Sequence, residues 1–273
     1  MHWTKQDIIN YYLQNEFAYK MWGPNMHYGY WEKGIRTQRQ ASLRFNQVMA
    51  STASIHDRDH VLDAGCGVGG CSIFLAKTFG CKVTGITITP RQVALAQENA
   101  KKTGVSHLVD FHEMDYQNTT FKDGTFSVVW GLESICYAND KKRFIQEAFR
   151  VLNHSGRLIV GDGFASRKEY SGKDDKLMTR WMDGWIVNNL GTPEQFDTWA
   201  LETGFNTRVY RNVTDKVFMT ALLMMIVSLP FLPLHLIDKV IRIKSYPCDA
   251  MWNQYFALKK DLWQYGIFLG KKN

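Results

Sequence analysis

Residues 60–164 alternate between short apolar runs and longer segments whose apolar positions recur at helical spacing. The apolar runs, several of them rich in β-branched residues, lie at 60–63, 81–88, 107–115, 126–134 and 157–164. Helices are predicted between them at 71–80, 89–104 and 141–152. Thr89, Pro90 and Gln92 predict a capping box at the start of the second helix. The alternation predicts a parallel sheet with helices on both faces.

The two ends of the chain add elements outside this alternation. Helices are predicted at 5–20 and 37–53, separated by the aromatic segment MWGPNMHYGYW, and a closing strand at 262–271. The predicted domain division is a helical and aromatic closure segment at 1–55, a core at 56–165 and 260–273, and a helical cap or substrate lid at 166–259 inserted in the same domain.

Residues 217–237 carry no formal charge over 21 positions. This length is close to the roughly 20 residues that cross a bilayer. Pro230 and Pro233 interrupt its second half, because proline lacks a backbone donor and clashes with the preceding turn. Three interpretations stay open: a lid over an apolar pocket, a helix lying in a membrane interface, and a single membrane span.

Composition narrows the class of protein. The 273 residues are 45% hydrophobic, which fits one globular domain with or without an appended lid. The net charge of +7 fits a basic soluble enzyme or attraction to an anionic partner. The lysines and arginines are scattered and form no basic run of the kind that nucleic-acid binders show.

The cysteines indicate neither a disulfide framework nor a zinc site, because their number is odd and none forms a C-x-x-C pair. They are Cys66, Cys71, Cys81, Cys136 and Cys248. A reduced cytoplasmic compartment is therefore expected. The N-terminus lacks a charged start followed by an apolar run, so no signal peptide is expected.

A glycine-rich loop follows the first predicted strand. The spacing of Gly65, Gly67 and Gly70 fits a dinucleotide-binding turn, whereas Asp63, Gly65, Gly67 and Gly69 fit a loop that holds S-adenosylmethionine. Glycines let the backbone approach a ligand closely, and the N-terminus of the next helix favours a negative group. The loop alone leaves both cofactors open.

Polar side chains stand at the ends of four strands, where ligands bind in parallel α/β sheets. They are Asp63, Thr87, Asp115 and Glu133. Thr87 stands where a nucleoside-binding sheet usually offers an acid for the ribose. Asp115 can accept a hydrogen bond from an adenine amino group while Met114 packs on the ring. Glu133 can act as a base or stabilise positive charge.

The segments LDAGCGVGG, VTGITITPRQ, FHEMDY and SVVWGLES resemble, in order and separation, a class I S-adenosylmethionine-dependent methyltransferase. Within that class they resemble the γ-tocopherol, sterol-C24 and geranyl-diphosphate methyltransferases, and more distantly the cyclopropane fatty-acid synthases. An upstream aromatic motif of this group is matched by Trp22, Gly23, His27, Gly29 and Tyr30. The resemblance covers about residues 10–165. It implies a Rossmann-like doubly wound sheet, mostly parallel with an antiparallel last strand, plus a helical cap.

The resemblance also implies roles for individual residues. The methionine part of the cofactor would contact Asp63, Gly65, Cys66, Gly67 and Gly69. The ribose would lie near Thr87, Ile88 and Gln92, and the adenine between Met114, Asp115 and Tyr116. Tyr28 would close over the sulfonium side, and Leu132 completes the cofactor set. No metal is expected.

The expected reaction is carbon methylation of an apolar small molecule, such as an isoprenoid, lipid or polyketide-like acceptor. Glu133 would stabilise positive charge or take the proton, assisted by Tyr137 or His27. Several relatives place a histidine where this chain has Tyr137. Transfer to an amine or a hydroxyl stays an alternative, and the basic balance of the chain favours an anionic acceptor.

Other classes fit less well. A nicotinamide-dependent oxidoreductase is disfavoured by the missing ribose acid, and a non-catalytic cofactor-binding protein by the undamaged cofactor motifs. Nucleic-acid methylation is disfavoured because no N/D-P-P-Y-type sequence follows the fourth strand. Peripheral membrane contact through 217–237 stays possible, and nothing indicates an oligomeric state.

Overall fold

The computed structural model describes residues 3–16, 22–231 and 246–273, with only the backbone described at 231 and 246–248. The sequence predictions that fall on 17–20 and 232–237 lie outside the described residues, as does the side chain of Cys248.

Nine helices occur within these ranges, most of them close to the predicted positions. They are α1 (Lys5–Gln14), α2 (Gln38–Thr52), α3 (Gly70–Phe79), α4 (Pro90–Thr103), α5 (Lys141–Val151), α6 (Gly172–Gly184), α7 (Pro193–Thr203), α8 (Thr214–Ser228) and α9 (Tyr246–Lys259). Short 3₁₀ turns follow β4 at Ile135–Tyr137 and follow α8 at Leu229–Phe231. We find no helix in the described ranges that is both long and apolar enough to span a bilayer.

Seven strands form one sheet in the order β3-β2-β1-β4-β5-β7-β6. They are β1 (His60–Ala64), β2 (Lys82–Thr87), β3 (Val109–Glu113), β4 (Phe126–Leu132), β5 (Leu152–Ala165), β6 (Thr207–Asn212) and β7 (Trp263–Lys271). The first five pair in parallel, and β7 runs antiparallel to both of its neighbours. The predicted Rossmann-like sheet with an antiparallel last strand is confirmed.

The sheet is covered on both faces because successive side chains of its central strands point in opposite directions. Val61 packs in a cluster with residues of α2, α3 and α4, whereas its neighbour Leu62 packs in a second cluster with residues of α5 and α7. The same alternation separates Ile159 from Leu158 on β5. Burial on both faces explains why these strands read as apolar runs.

The edge strand β6 was not predicted from the sequence. Its residues, TRVYRN, are mostly polar, and Val209 is exposed, because the strand has a neighbour on one side only. It lies inside the segment 166–259, so this segment also contributes to the core sheet. Helix α9 packs against α6 and α8, whereas α7 packs against α5. We propose that α6, α8 and α9 form the cap.

The start of α4 differs from the prediction. Pro90 occupies the first helical turn as expected, but the Thr89 side chain makes no capping hydrogen bond. The Gln92 Oε1 atom instead accepts a hydrogen bond from Thr87 Oγ1 at 2.7 Å. The predicted capping box is therefore wrong, because the β2 hydroxyl takes the glutamine side chain that the box requires.

Candidate active site

A cavity of about 270 Å³ lies at the carboxyl ends of β1, β2, β4 and β5, and α1 and the cap helices contribute to its walls. Every residue predicted for the cofactor or for catalysis lines it, except Gly69 and Met114. Gly69 is the N-cap residue of α3 with φ +83°, and Met114 packs against the core cluster that contains Leu62. The fold thus brings predicted site residues from positions 27 to 137 together around one cavity.

The glycine loop is pressed against the end of β4. Gly65 has φ +89°, and a Cβ atom there would overlap the Cβ of Ser134. Ser134 is itself fixed, because its hydroxyl donates to the carbonyl of Ala64 at 2.5 Å. Gly67 has φ +53° and lines the cavity. The loop therefore leaves bare backbone at the cavity wall, which suits close approach of a ligand.

Asp63 is a buried carboxylate at the base of the cavity. Its Oδ2 accepts a hydrogen bond from Ser72 Oγ at 2.6 Å. Burial raises its pKa to about 6, and the hydrogen bonds from Ser72 oppose this shift. In the described part of the chain, no lysine or arginine pairs with it. A buried acid of this kind fits the ammonium group of a methionine-derived cofactor.

The end of β2 offers hydroxyl and amide groups in place of the usual acid. The Thr87 hydroxyl donates to the side-chain oxygen of Gln92, which leaves the two N–H donors of the Gln92 amide for another partner. Both residues line the cavity. The buried hydroxyl of Thr89, in the same wall, has no hydrogen-bond partner within the described ranges. An orphaned buried hydroxyl at this position fits a ligand that carries hydroxyl groups, as a ribose does.

Asp115 is engaged by the N-terminal helix. Its Oδ2 forms an ion pair with Lys5 of α1, and its Oδ1 accepts from the backbone N–H of Gln117 at 2.9 Å. The adjacent Tyr116 donates its hydroxyl hydrogen to the Ser134 carbonyl at 2.7 Å. Helix α1 therefore contacts the predicted adenine position through an ion pair that the sequence did not indicate.

Glu133 projects into the cavity from a left-handed backbone position with φ +49°. Its Oε1 accepts hydrogen bonds from the backbone N–H of Tyr28 at 2.6 Å and from the hydroxyl of Tyr265 at 2.7 Å. Burial raises the pKa of Glu133 to about 8, against the two hydrogen bonds. Such backbone strain recurs at functional sites, where the surrounding structure maintains it.

Asp162 is a second carboxylate in the same cavity, and the sequence prediction missed it. Its two oxygens accept from the backbone N–H groups of Cys136 at 2.9 Å and Gly163 at 2.8 Å. Burial raises its pKa, and its charge contributes to the raised pKa of Glu133. Its position near the end of the fifth predicted strand is the signal that could have revealed it.

His27 is buried and neutral. Its Nδ1 lies 2.8 Å from the Tyr28 carbonyl, which can only accept, so Nδ1 carries the hydrogen. Burial lowers the pKa of His27 to about 4, which makes it a poor proton acceptor at neutral pH. Tyr137 lines the cavity and contacts the Tyr12 ring of α1 edge-on, with centroids 6.0 Å apart.

Gln254 of α9, which the sequence analysis did not single out, orients an aromatic wall. Its Oε1 accepts hydrogen bonds from Tyr28 Oη at 2.7 Å and from Trp185 Nε1 at 3.0 Å. The indole N–H of Trp263 donates to the backbone carbonyl of Gln254 at 2.9 Å. The Trp263 ring stacks on the Trp181 ring, with centroids 4.5 Å apart. Because an indole N–H can only donate, the glutamine oxygen must face Trp185.

The ionisable side chains that line the cavity are mostly acids. Its acids are Asp63, Asp115, Glu133 and Asp162, and Lys5, which Asp115 engages, is the one lysine or arginine among its described lining residues. When these acids are ionised, the cavity favours a cation or a developing positive charge.

Comparison with known proteins finds similarity over part of the chain. Residues 62–160 match a family model described as a methyltransferase domain. The chain is 37% identical over 143 residues to 27-O-demethylrifamycin SV methyltransferase of Amycolatopsis mediterranei (strain S699), covering 52% of this chain and 53% of that protein. It is 32% identical over 169 residues to norajmaline N-methyltransferase of Rauvolfia serpentina, covering 57% and 58%. The match thus spans little more than half the length of these curated relatives.

A solved structure matches almost the whole chain. Geranyl diphosphate C-methyltransferase from Streptomyces coelicolor A3(2), in complex with Mg²⁺, geranyl diphosphate and S-adenosyl-L-homocysteine, superposes with a TM-score of 0.76 at 17% identity, covering 98% of this chain and 97% of that one. At this identity the likeness establishes the shared fold. The name of the Rauvolfia protein specifies methyl transfer to nitrogen, and that of the Streptomyces protein specifies transfer to carbon.

Proposed function

We propose that the protein is an S-adenosylmethionine-dependent methyltransferase that methylates an apolar small molecule, most simply at carbon. The match of residues 62–160 to a family model described as a methyltransferase domain supports this proposal. The observation that carries this proposal is the Glu133 carboxyl group, which enters a cavity walled by aromatic rings. A carbon nucleophile becomes positively charged when it is methylated, and these groups stabilise that charge.

The cavity residues divide into a cofactor side and an acceptor side. We assign the cofactor side to the glycine loop, Asp63, the hydroxyl and amide groups at 87–92, and Asp115 with Tyr116. When bound, the cofactor supplies an electrophilic methyl group. Gly69 and Met114 do not line the cavity, so we assign them to shaping the loop and supporting the adenine position from below.

Glu133 is the proposed catalytic residue. Tyr265 and the backbone of Tyr28 hold its Oε1, so its carboxyl group keeps a fixed position in the cavity. A pKa of about 8 makes it a stronger base than an exposed glutamate, which suits removal of a proton near neutral pH. His27 is neutral and stays in a positioning role, and we assign Tyr137 to the aromatic wall.

The charges and the aromatic lining of the cavity support one class of acceptor over another. Aromatic side chains supply much of the wall, and the cavity acids outnumber its cations. These properties favour a neutral apolar acceptor over a diphosphate, which would need cations to balance its charge. The lining of the cavity thus argues against the anionic acceptor that the net charge of the chain favours.

A second candidate is methylation of an amine. Glu133 and Asp162 face the same cavity, and two carboxylates beside aromatic rings also suit a nitrogen that becomes cationic on methylation. The two candidates share the cofactor side of the site and differ in the acceptor only.

Methyl transfer is tested with methyl-labelled S-adenosylmethionine and three acceptor sets: neutral isoprenoid alcohols and quinols, prenyl diphosphates, and lipophilic amines. We expect label in a neutral acceptor, with the product position assigned by mass spectrometry. Glu133→Gln should keep its affinity for S-adenosylhomocysteine and lose turnover by about 10²-fold or more, the usual contribution of a general base. Glu113→Gln, at an exposed position on β3, is the matched control. Full activity of Glu133→Gln would remove Glu133 from the mechanism.

A further inference from the structure

Helix α8 has two apolar faces. Its inner face, which includes Val217, Ala221 and Met224, is buried, and Met224 lines the cavity. Its outer face exposes Met219, Ile226 and Val227 to between 42% and 56%. Surface helices normally carry polar residues on the face turned to solvent. The outer face of α8 departs from that rule.

This exposure is concentrated in one place. Eight large apolar side chains are exposed in the described ranges, and four of them lie within eleven residues on α8 and the turn after it. The fourth is Leu229, at 41% exposure. From 217 to 231 the sequence contains no charged residue. We call Met219, Ile226, Val227 and Leu229 the α8 patch.

The length of α8 favours a helix that lies on a bilayer over one that crosses it. The helix has 15 residues, fewer than the roughly 20 that span a bilayer, and its inner face is packed into the protein. An apolar face of this kind can bury about 5–10 Å into the headgroup region of a membrane.

Charge favours an anionic lipid surface over a protein partner. The chain carries a net charge of +7, although Lys216 in the first turn of α8 is paired with the neighbouring Asp215. In the sequence directly after the α8 patch, residues 232–245 contain three basic residues and one acid. Basic residues beside an inserted apolar face are attracted by anionic headgroups.

We propose that the α8 patch docks on an anionic phospholipid bilayer. The same helix then has the membrane on its outer face and the cavity on its inner face, through Met224. On the proposed function, this arrangement brings the methyl-transfer site close to a membrane that dissolves an apolar acceptor. The docking itself needs neither cofactor nor acceptor.

The test is cosedimentation of the purified chain with vesicles of phosphatidylcholine alone and of phosphatidylcholine with about one quarter phosphatidylglycerol. We expect binding to the anionic vesicles that is weakened about tenfold or more in the double variant I226E/V227E. The matched control is L201E/V209E, which changes two exposed apolar residues on α7 and β6 and alters the net charge equally. The control should keep binding, and both variants should keep the wild-type melting temperature.

Three results would overturn the proposal: no binding of the wild-type chain to either vesicle, equal loss in the two double variants, or self-association of the lipid-free chain that I226E/V227E abolishes. The last result, measured by sedimentation velocity, would assign the α8 patch to a second copy of the chain. None of these results bears on methyl transfer, which is measured with soluble acceptors and no vesicles.

Discussion

Replacing Glu133 by glutamine should change how the protein distinguishes S-adenosylmethionine from its demethylated product. The substrate form carries a positive sulfonium and the product does not, while the two share their other charged groups. Because Glu133 is proposed to act at the atom that receives the methyl group, the sulfonium should lie near its carboxyl group. An ionised Glu133 should therefore favour the sulfonium, and a protonated one should not.

The size of the effect follows from the pKa of Glu133, which burial raises to about 8. Below that pH the carboxyl group holds its proton, and above it the group is ionised. About 1% of the carboxyl groups are ionised two units below the pKa and about half at the pKa. The preference for the sulfonium should therefore rise by up to about 50-fold between pH 6 and pH 8, and level off above pH 9.

The assay is calorimetric titration with both ligands at pH 6, 7, 8 and 9, with the ratio of the two dissociation constants as the readout. Taking the ratio removes the titration of the groups that the ligands share. Glu133→Gln should give a ratio that does not change with pH, and the exposed control Glu113→Gln should follow the wild type. A flat ratio in the wild type, or the same rise in Glu133→Gln, would refute the placement of Glu133.

Three further predictions concern the same site. Asp115→Ala should weaken both ligands by about 1–3 kcal/mol in calorimetry, the cost of a lost charged hydrogen bond; Lys5→Met should not weaken them, since it frees Asp115. Gly65→Ala should lower the free energy of urea unfolding by about 1–3 kcal/mol more than Gly80→Ala, because both have positive φ but only Gly65 is crowded; equal losses would contradict this. Glu133→Gln should raise the melting temperature at pH 8 more than at pH 5. The pKa of Glu133 is about 8 in the folded protein and 4.5 ordinarily, so the stability of the wild type falls as the pH rises between these values. An equal rise in melting temperature at both pH values would contradict this prediction.

The sequence predicted the sheet because its central strands are buried on both faces. Strands buried on both faces appear in the sequence as apolar runs such as 60–63 and 126–134. The helices between them show clear helical periodicity. The strand β6 was not predicted because it lies at the edge of the sheet and has a neighbouring strand on one side only. Polar residues such as Arg208 and Arg211 can therefore stand beside Val209, and the segment shows no apolar run. Propensity alone does not separate such a segment from a loop.

The candidate site was predictable where a single strand end carries its chemistry. Asp63, Asp115 and Glu133 all follow apolar runs, and Asp162 could have been found on the same criterion. The ion pair between Lys5 and Asp115 could not, because it joins residues 110 positions apart through the docking of α1.

Long-range hydrogen bonds account for the rest of what the sequence left out. Tyr265 reaches Glu133 only because β7 is inserted antiparallel beside β5. Gln254 contacts Tyr28 only after α9 has packed against α6 and α8. Neither contact leaves a local pattern in the chain.

The central claim is that the cavity at the strand ends binds S-adenosylmethionine. It is tested most directly by calorimetric titration of the purified chain with S-adenosylmethionine, S-adenosylhomocysteine and NAD⁺, without acceptor. We expect micromolar binding of the first two and none of the third. Binding of NAD⁺ in place of the two sulfur compounds would mean that Gly65, Gly67 and Gly70 form a dinucleotide turn, and would contradict the account.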